Sequence, residues 1–215
     1  MDREHYVSHG VLKQIGKTIT ILINGAPQTF KMKDFAFEVL CKTHNRALSP
    51  VDEAAKVVFK TIVKLDHEAA HGNRRVPHRV VRVSGWHFER WLIKVYCGIN
   101  AAGHLGKTWT VPDYLIESLF HRTPLPLDLG LYMEGNVGDL VTIGRTFQLR
   151  PLYRPDTGEP CGMLAHFCGI AFRLSLAPAR DGGTGKVDGR DRHIPGITLH
   201  DQRSGLVRGM EFDWS

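Results

Sequence analysis

The segment LSPVDEAAKVVFKTIVKLDHEAA, residues 48–70, constrains the fold more than any other part of the sequence. Ser49 is a typical N-cap residue, Pro50 suits the first helical position, and Asp52 can bond back to the N–H of the cap. Apolar residues then recur at helical spacing: Val51, Ala54, Ala55, Val58, Phe59, Ile62 and Leu65. We predict a helix over 49–66 whose apolar face must be covered by other parts of the chain.

Two further helices are predicted in the middle of the chain. One begins near Ser84 and runs through GWHFERWLIKVYCGINAAG, and a shorter one covers 112–121, opened by Pro112. The inner face of the first is apolar: Phe88, Trp91, Leu92, Val95, Ile99 and Ala102. Because both long helices need apolar partners, we expect the 215 residues to form one compact body.

Strands are predicted near both ends of the chain. Residues 18–23 and 26–31 alternate around Asn24-Gly25, a dipeptide that favours a tight hairpin turn. From about residue 125, short apolar runs separated by Gly, Pro and Asp are typical of a C-terminal antiparallel sheet. The Gly-rich stretch 179–193 reads as a loop, and its GGTGK lacks the spacing of a phosphate-binding P-loop.

The charge balance favours anionic partners. The formal net charge is +6, which favours association with nucleic acid. Residues 71–82 form a basic linker that contains Arg74, Arg75, Arg79 and Arg82. These arginines either contact phosphates along a nucleic-acid backbone or belong to a solvated connector.

Hydropathy and cysteine usage suggest a cytoplasmic protein that makes no membrane contact. No window reaches the roughly 20 apolar residues that a membrane helix needs, and the N-terminus has no apolar signal-peptide core. The four cysteines form no CxxC pair, so we expect free thiols and no structural zinc. If Cys161, His166 and Cys168 lie on one strand, Cys161 faces away from the other two, which does not make a zinc site.

Two fragments near the N-terminus form a chemically sensible set. DREHYVSHGVL places Glu4 beside His5, and LCKTHN places His44 beside Asn45 before the long helix. Phosphodiester hydrolysis needs a base for a water molecule and a divalent cation for the phosphate charge. An imidazole suits the base, and a carboxylate with an amide suits a Mg²⁺-type ion. The plainer alternatives are a surface Glu-His pair and a loop that satisfies its own backbone.

These two fragments resemble the HNH (ββα-metal) endonuclease family. The resemblance covers about 65 residues and implies His5 as general base, Glu4 and Asn45 as metal ligands, and His44 in place of Asn45 if the register differs by one. It also implies Mg²⁺ or Mn²⁺ as cofactor. The chain departs from the family in lacking an upstream CxxC knuckle. The Ser49-Pro50 cap also predicts that Asn45 lies on a turn before the helix.

Together these interpretations predict an α+β fold in three regions. Residues 1–68 form an HNH-like ββα unit, residues 69–124 a basic linker and helical region, and residues 125–215 an antiparallel β region. The expected function is metal-dependent hydrolysis of phosphodiester bonds, with DNA favoured over RNA as the partner. The alternative is a non-catalytic module that keeps a degenerate HNH outline and binds nucleic acid or a protein partner.

Overall fold

The structure is a computed structural model. It describes residues 2–16, 18–23, 26–31, 36–70, 79–105, 109–126, 128–134, 147–176, 186–187, 190–201 and 206–215. Arg74 and Arg75 lie outside these residues, as do the predicted Asn24-Gly25 turn and most of the Gly-rich stretch 179–193.

Helices and strands occur together, and the α+β class is confirmed. The helices are α1 (His9–Ile15), α2 (Lys42–Ala47), α3 (Ser49–Ala70), α4 (Gly85–Ala101) and α5 (Asp113–His121). The strands are β1 (Asp2–His5), β2 (Thr18–Ile23), β3 (Ala26–Lys31), β4 (Ala36–Leu40), β5 (Arg79–Ser84), β6 (Gly130–Glu134), β7 (Phe147–Tyr153), β8 (Pro160–Phe167), β9 (Ile170–Ser175), β10 (Lys186–Val187), β11 (Arg190–Asp191), β12 (Gly196–Asp201) and β13 (Leu206–Asp213). Within the described residues, no helix is both long enough and apolar enough to span a membrane.

The largest sheet joins the two ends of the chain. Its six strands run in the order β3-β2-β7-β8-β9-β6. The predicted strands 18–23 and 26–31 are confirmed as the antiparallel pair β2–β3. Strand β2 also pairs in parallel with β7, where Thr20 lies opposite Gln148. The C-terminal strands therefore share a mixed sheet with the N-terminal hairpin.

A second sheet corrects the prediction of a basic linker over 71–82. Residues Arg79–Ser84 form β5, which pairs in parallel with β13 in the order β12-β13-β5. Alternating side chains explain the strand, because Val83 is buried whereas Val80 and Arg82 are exposed. Arg79 and Arg82 favoured a linker in the sequence, although residues 80–83 follow the period-2 pattern of a strand.

The predicted helices are confirmed, with small differences at their ends. α3 runs four residues past the predicted end. α4 begins after Ser84, whose hydroxyl accepts a hydrogen bond from the N–H of His87. α5 lies within one residue of its prediction. The predicted cap of α3 is wrong, because Ser49 lies inside the helix and the N–H of Asp52 bonds to the carbonyl of Leu48.

The core is built around α3 and α4. Phe59 of α3 meets four other aromatic rings, with centroids 4.9–6.2 Å away: Phe88, Trp91, Phe147 and Phe167. One connected cluster of buried residues extends from Tyr6 to Phe212 and includes side chains from all three predicted regions. The apolar faces of both long helices thus cover each other and the large sheet.

Two buried ionic groups fix α4 to its surroundings. Lys94 donates to both carboxylate oxygens of Asp52 in α3, at 3.1 and 2.9 Å. Nearer the start of α4, the carboxylate of Glu89 accepts from the N–H of Leu131 at 2.6 Å and lies 3.2 Å from His193 Nε2. Buried charges persist where such partners offset the loss of water.

Candidate functional site

Strand pairing brings the two N-terminal fragments together. β1 pairs antiparallel with β4, and β4 leads through Cys41 directly into α2. The fragment with Glu4 and His5 and the fragment with His44 and Asn45 therefore belong to one strand–strand–helix arrangement. We call it the β1–β4–α2 unit.

The register of this pair orders the residues along the strands. Asp2 lies opposite Leu40, Glu4 opposite Phe37, and His5 opposite Ala36. His5 is thus four positions from the end of β4 that leads to α2, or about 13 Å along the strand. The structure describes the backbone of Glu4 and His5 but not their side chains.

α2 places Asn45 inside a helix, which corrects the predicted turn. The helix covers Lys42–Ala47, and the N–H of Leu48 bonds to the carbonyl of Asn45 at 3.0 Å. The Asn45 side chain is half-buried, and it has no hydrogen-bond partner among the residues that the structure describes.

His44 is exposed and held from two sides. Its Nδ1 lies 3.3 Å from the Cys41 sulfur, and its ring lies 4.9 Å from that of Phe120 in α5. These contacts restrict the ring and leave Nε2 as the nitrogen that can face a ligand.

The thiol of Cys41 differs from those of Cys97 and Cys161 in the direction of its pKa shift. The backbone N–H groups of His44 and, secondarily, Thr43 lower the pKa of the exposed Cys41 thiol. Burial raises the pKa of Cys161 and raises that of Cys97 to about 12. Cys41 is therefore the thiol with the most thiolate character of these three.

Asp52 is engaged in the interior. Its carboxylate binds Lys94, which is 3% exposed. Burial raises the pKa of Asp52, although Lys94 and, to a lesser degree, Ser8 act to lower it. Its position places Asp52 between α3 and α4, where it ties the two helices.

The predicted phosphate-binding arginines fall into two groups. Arg74 and Arg75 lie outside the described residues. Arg79 and Arg82 lie on β5, and the side chain of Arg79 is not described. Arg82 is 83% exposed and pairs with Glu211 at 3.0 Å. A surface pair of this kind adds little stability and exchanges readily with another anion.

The donors expected to hold a metal ion fit a hard cation in type. Glu4 offers carboxylate oxygens and Asn45 an amide oxygen, which a Mg²⁺-type ion prefers, whereas the imidazole nitrogen of His44 is a softer donor. Among the residues that the structure describes, no three His, Cys, Asp or Glu side chains come together as a ligand group. A metal bound here would therefore depend on Asn45 and on the side chains of β1.

The Cys161–His166–Cys168 geometry differs from the one expected for a single strand. β8 ends at Phe167, and Cys168 lies in the following turn with a positive φ of 49°. His166 is half-buried on β8, and burial and Arg150 lower its pKa. In the sequence, only the residue types Cys and His drew attention to residues 161–168, and these types do not show that β8 ends before Cys168.

Sequence reasoning did not single out the outer face of α2. Lys42, Thr43, Arg46 and Ala47 line a hollow there. The available signal was the i, i+4 spacing of Lys42 and Arg46, which places both cations on one side of a helix.

Comparison of the chain with protein-family models, curated proteins and solved structures gives no match. The HNH resemblance therefore stays a prediction that rests on the residues of the two N-terminal fragments.

Proposed function

We propose that this protein binds nucleic acid, with DNA favoured over RNA, and hydrolyses phosphodiester bonds at the β1–β4–α2 unit with a divalent metal ion. The observation that carries the proposal is the antiparallel pairing of β1 with β4, which leads into α2. The HNH resemblance implies two strands followed by the helix predicted at 49–66; here α1, β2 and β3 lie between β1 and β4 along the chain, and α2 precedes α3, the helix at that position. The four free cysteines fit the reducing cytoplasm, where we place the reaction.

Each residue has a distinct role in this proposal. His5 removes a proton from the attacking water, and Glu4 and Asn45 hold a Mg²⁺- or Mn²⁺-type ion, with His44 as the alternative to Asn45. The ion, when bound, neutralises charge on the scissile phosphate and on the leaving oxygen. Support for a role of His44 comes from the 3.3 Å contact of its Nδ1 with the Cys41 sulfur, which restricts the orientation of the ring.

A second candidate is a nucleic-acid-binding module without hydrolytic activity. The register of β1 with β4 favours it, because His5 lies opposite Ala36 and not beside the end of β4 that enters α2. In this candidate the β1–β4–α2 unit binds the nucleic acid, and no residue of β1 acts as a base.

Nicking of supercoiled plasmid tests the proposal. Purified protein is incubated with plasmid and Mg²⁺, Mn²⁺ or a chelator, beside His5→Ala, Asn45→Ala and Asn45→Asp. We expect metal-dependent nicking that both alanine variants lose and that Asn45→Asp partly retains, because a carboxylate is also an oxygen ligand. His121→Ala, an exposed histidine on α5, is the matched control and should nick like wild type.

The outcomes separate the two candidates. Plasmid binding at low salt without nicking in either metal favours the binding module. Nicking that persists in His5→Ala places the chemistry elsewhere in the chain and removes the proposed base. Protein that neither binds nor nicks plasmid overturns both candidates.

A further inference from the structure

A cluster of cations lies where the start of α4 meets the end of α5. His87 and Arg90 are one turn apart on α4, so they share a side of that helix. The guanidinium of Arg90 donates through Nε to the carbonyl of Leu119 in α5, at 3.0 Å. Arg122 follows one turn after Leu119, as the C-cap of α5. We call His87, Arg90 and Arg122 the α4–α5 basic cluster.

No acid offsets the charge of the α4–α5 basic cluster. Arg90 is 6% exposed, and an arginine is rarely buried to this extent unless a carboxylate pairs with it. Among the residues that the structure describes, no side chain of the cluster has a carboxylate partner. Burial and then the charges of Arg90 and Arg122 lower the pKa of His87, and burial and then Arg122 lower the pKa of Arg90. The neighbouring charges that act on these groups are therefore positive, and a bound anion would offset them.

Arg122 has a backbone conformation that glycine would adopt with less strain. Its φ of 61° and ψ of 22° lie in the left-handed region, which few residues other than glycine enter. Helices commonly place glycine at such an end. The side chain of Arg122 is exposed and makes no hydrogen bond or ion pair within the described part of the chain. The stability of α5 therefore does not explain an arginine at this position, whereas a ligand for its guanidinium does.

The α4–α5 basic cluster adjoins the β1–β4–α2 unit through Phe120. This residue follows Leu119, which accepts the hydrogen bond from Arg90, and its ring lies 4.9 Å from the ring of His44. Bond lengths along this path limit the separation of the His44 ring and Arg90 Nε to about 15 Å. A nucleotide strand advances about 3.4 Å per residue along the axis of a duplex, so one strand can reach both places.

We infer that the α4–α5 basic cluster binds a backbone phosphate of the nucleic acid. This inference rests on the proposed function and adds a contact that positions the substrate beside α2. A guanidinium binds phosphate through two parallel N–H bonds, which the exposed Arg122 can supply. Arg90 adds positive charge, and the ring of His87 can donate an N–H. Such phosphate contacts position a nucleic acid without reading its bases.

Salt dependence of binding tests this contact. Binding of a fluorescent DNA duplex is measured by anisotropy across a range of KCl concentrations, with chelator present to prevent cleavage. We expect Arg122→Gln and Arg122→Gly each to reduce the slope of log K against log[salt] by about 0.9, the effect of one lost phosphate contact. Arg122→Gly should keep a melting temperature equal to or above that of wild type, because glycine adopts the left-handed conformation without strain.

The matched control is Arg150→Gln, which removes an exposed arginine on β7. It makes the same change in net charge as Arg122→Gln, so its slope should stay close to that of wild type. NMR titration of the His87 ring gives a local measurement. A bound phosphate favours the charged imidazole, so the pKa of His87 should rise when the duplex is added to wild type.

The outcomes distinguish the α4–α5 basic cluster from the proposed function as a whole. Wild type that binds DNA, with both Arg122 variants at the slope of the control or with an unchanged pKa of His87, overturns the cluster alone. Wild type that fails to bind DNA at low salt overturns the proposed function and the cluster with it. Inorganic phosphate is also titrated at constant ionic strength. If it raised the pKa of His87 as much as the duplex does at equal phosphate concentration, the site would be one for free phosphate and the nucleic-acid assignment would be overturned.

Discussion

The helices α2 and α4 both carry charged residues, which are exposed in α2 and buried in α4. α2 has no buried residue, and its cations, Lys42 and Arg46, face solvent. α4 buries twelve of its 17 residues, including Glu89 and Lys94. The charged side chains of α2 are therefore exposed, whereas Glu89 and Lys94 of α4 are buried against partners. Substitutions in α2 should change binding, and substitutions in or against α4 should change stability.

The largest loss of stability is expected where α3 meets α4. Phe59→Ala removes a side chain that contacts four buried aromatic rings. The transfer and cavity contributions together should lower the free energy of unfolding by about 3–5 kcal/mol. Denaturant unfolding measures the loss. The exposed Ile116→Ala is the control and should change stability by about 0.5 kcal/mol or less; equal losses would refute the assignment of the core.

The buried ion pair between α3 and α4 should behave differently from a surface pair. Lys94→Ala leaves the carboxylate of Asp52 without its cation and should cost about 3–5 kcal/mol. Asp52→Leu/Lys94→Met replaces both charges by apolar groups and should recover most of this loss. Arg82→Ala breaks an exposed pair and should cost about 1 kcal/mol or less. Urea unfolding of the three variants would contradict the comparison if all lost the same amount.

The junction between α4 and β1 should couple the two regions. A methyl group on Gly98 of α4 would collide with the Tyr6 side chain. Gly98→Ala should therefore cost about 1–3 kcal/mol and displace the strand that carries Glu4 and His5. Gly10→Ala in α1 meets only the Lys56 side chain, at 3.1 Å from its Cδ, and is the control, which should be close to neutral. If Gly98→Ala left both stability and nicking unchanged, α4 would not support the β1–β4–α2 unit.

The raised pKa of Asp52 fixes the direction in which its contribution to stability changes with pH. Burial raises the pKa of Asp52, so the folded state favours its protonated form more than the unfolded state does. The stability from this group is fully present below its unfolded pKa, near 4, and is lost as pH rises through the folded pKa. NMR titration of the Asp52 carboxyl should give a pKa above that of an unfolded chain, and Lys94→Met should raise this pKa further. A pKa in the folded wild type below that of the unfolded chain would reverse the sign.

The smallest expected effect is a difference in thiol reactivity, and it concerns the exposed Cys41 of the β1–β4–α2 unit. The backbone N–H of His44 lowers the pKa of Cys41, whereas burial raises the pKa values of Cys97 and Cys161. Alkylation with iodoacetamide near pH 7 should therefore modify Cys41 first. Cys41→Ser should lose the fast phase, and peptide mass spectrometry identifies the labelled residue. A fast phase that survives Cys41→Ser would assign the reactive thiol to a different cysteine.

Local patterns were sufficient for several elements. The apolar repeat of α3 predicted its helix and its buried face, because the 3.6-residue period alone fixes which side chains share a side. The alternation around Asn24-Gly25 predicted β2 and β3 with their observed ends. The predicted shared site of Glu4, His5, His44 and Asn45 stays a prediction, because β1 pairs with β4, which precedes the KTHN segment, and His5 lies opposite Ala36.

The sequence by itself determined α3, α4 and α5, the strand pair β2–β3 and the α+β class, since these depend on periods of 3.6 and 2 residues and on turn chemistry, but not the short helices α1 and α2. Only the tertiary structure decided that β2 pairs with β7, that β5 pairs with β13, and that Asp52 binds Lys94 rather than its own helix cap. These partners lie 42 to 129 residues apart along the chain. Long-range pairing depends on which apolar faces can be buried together, and no local pattern records that choice.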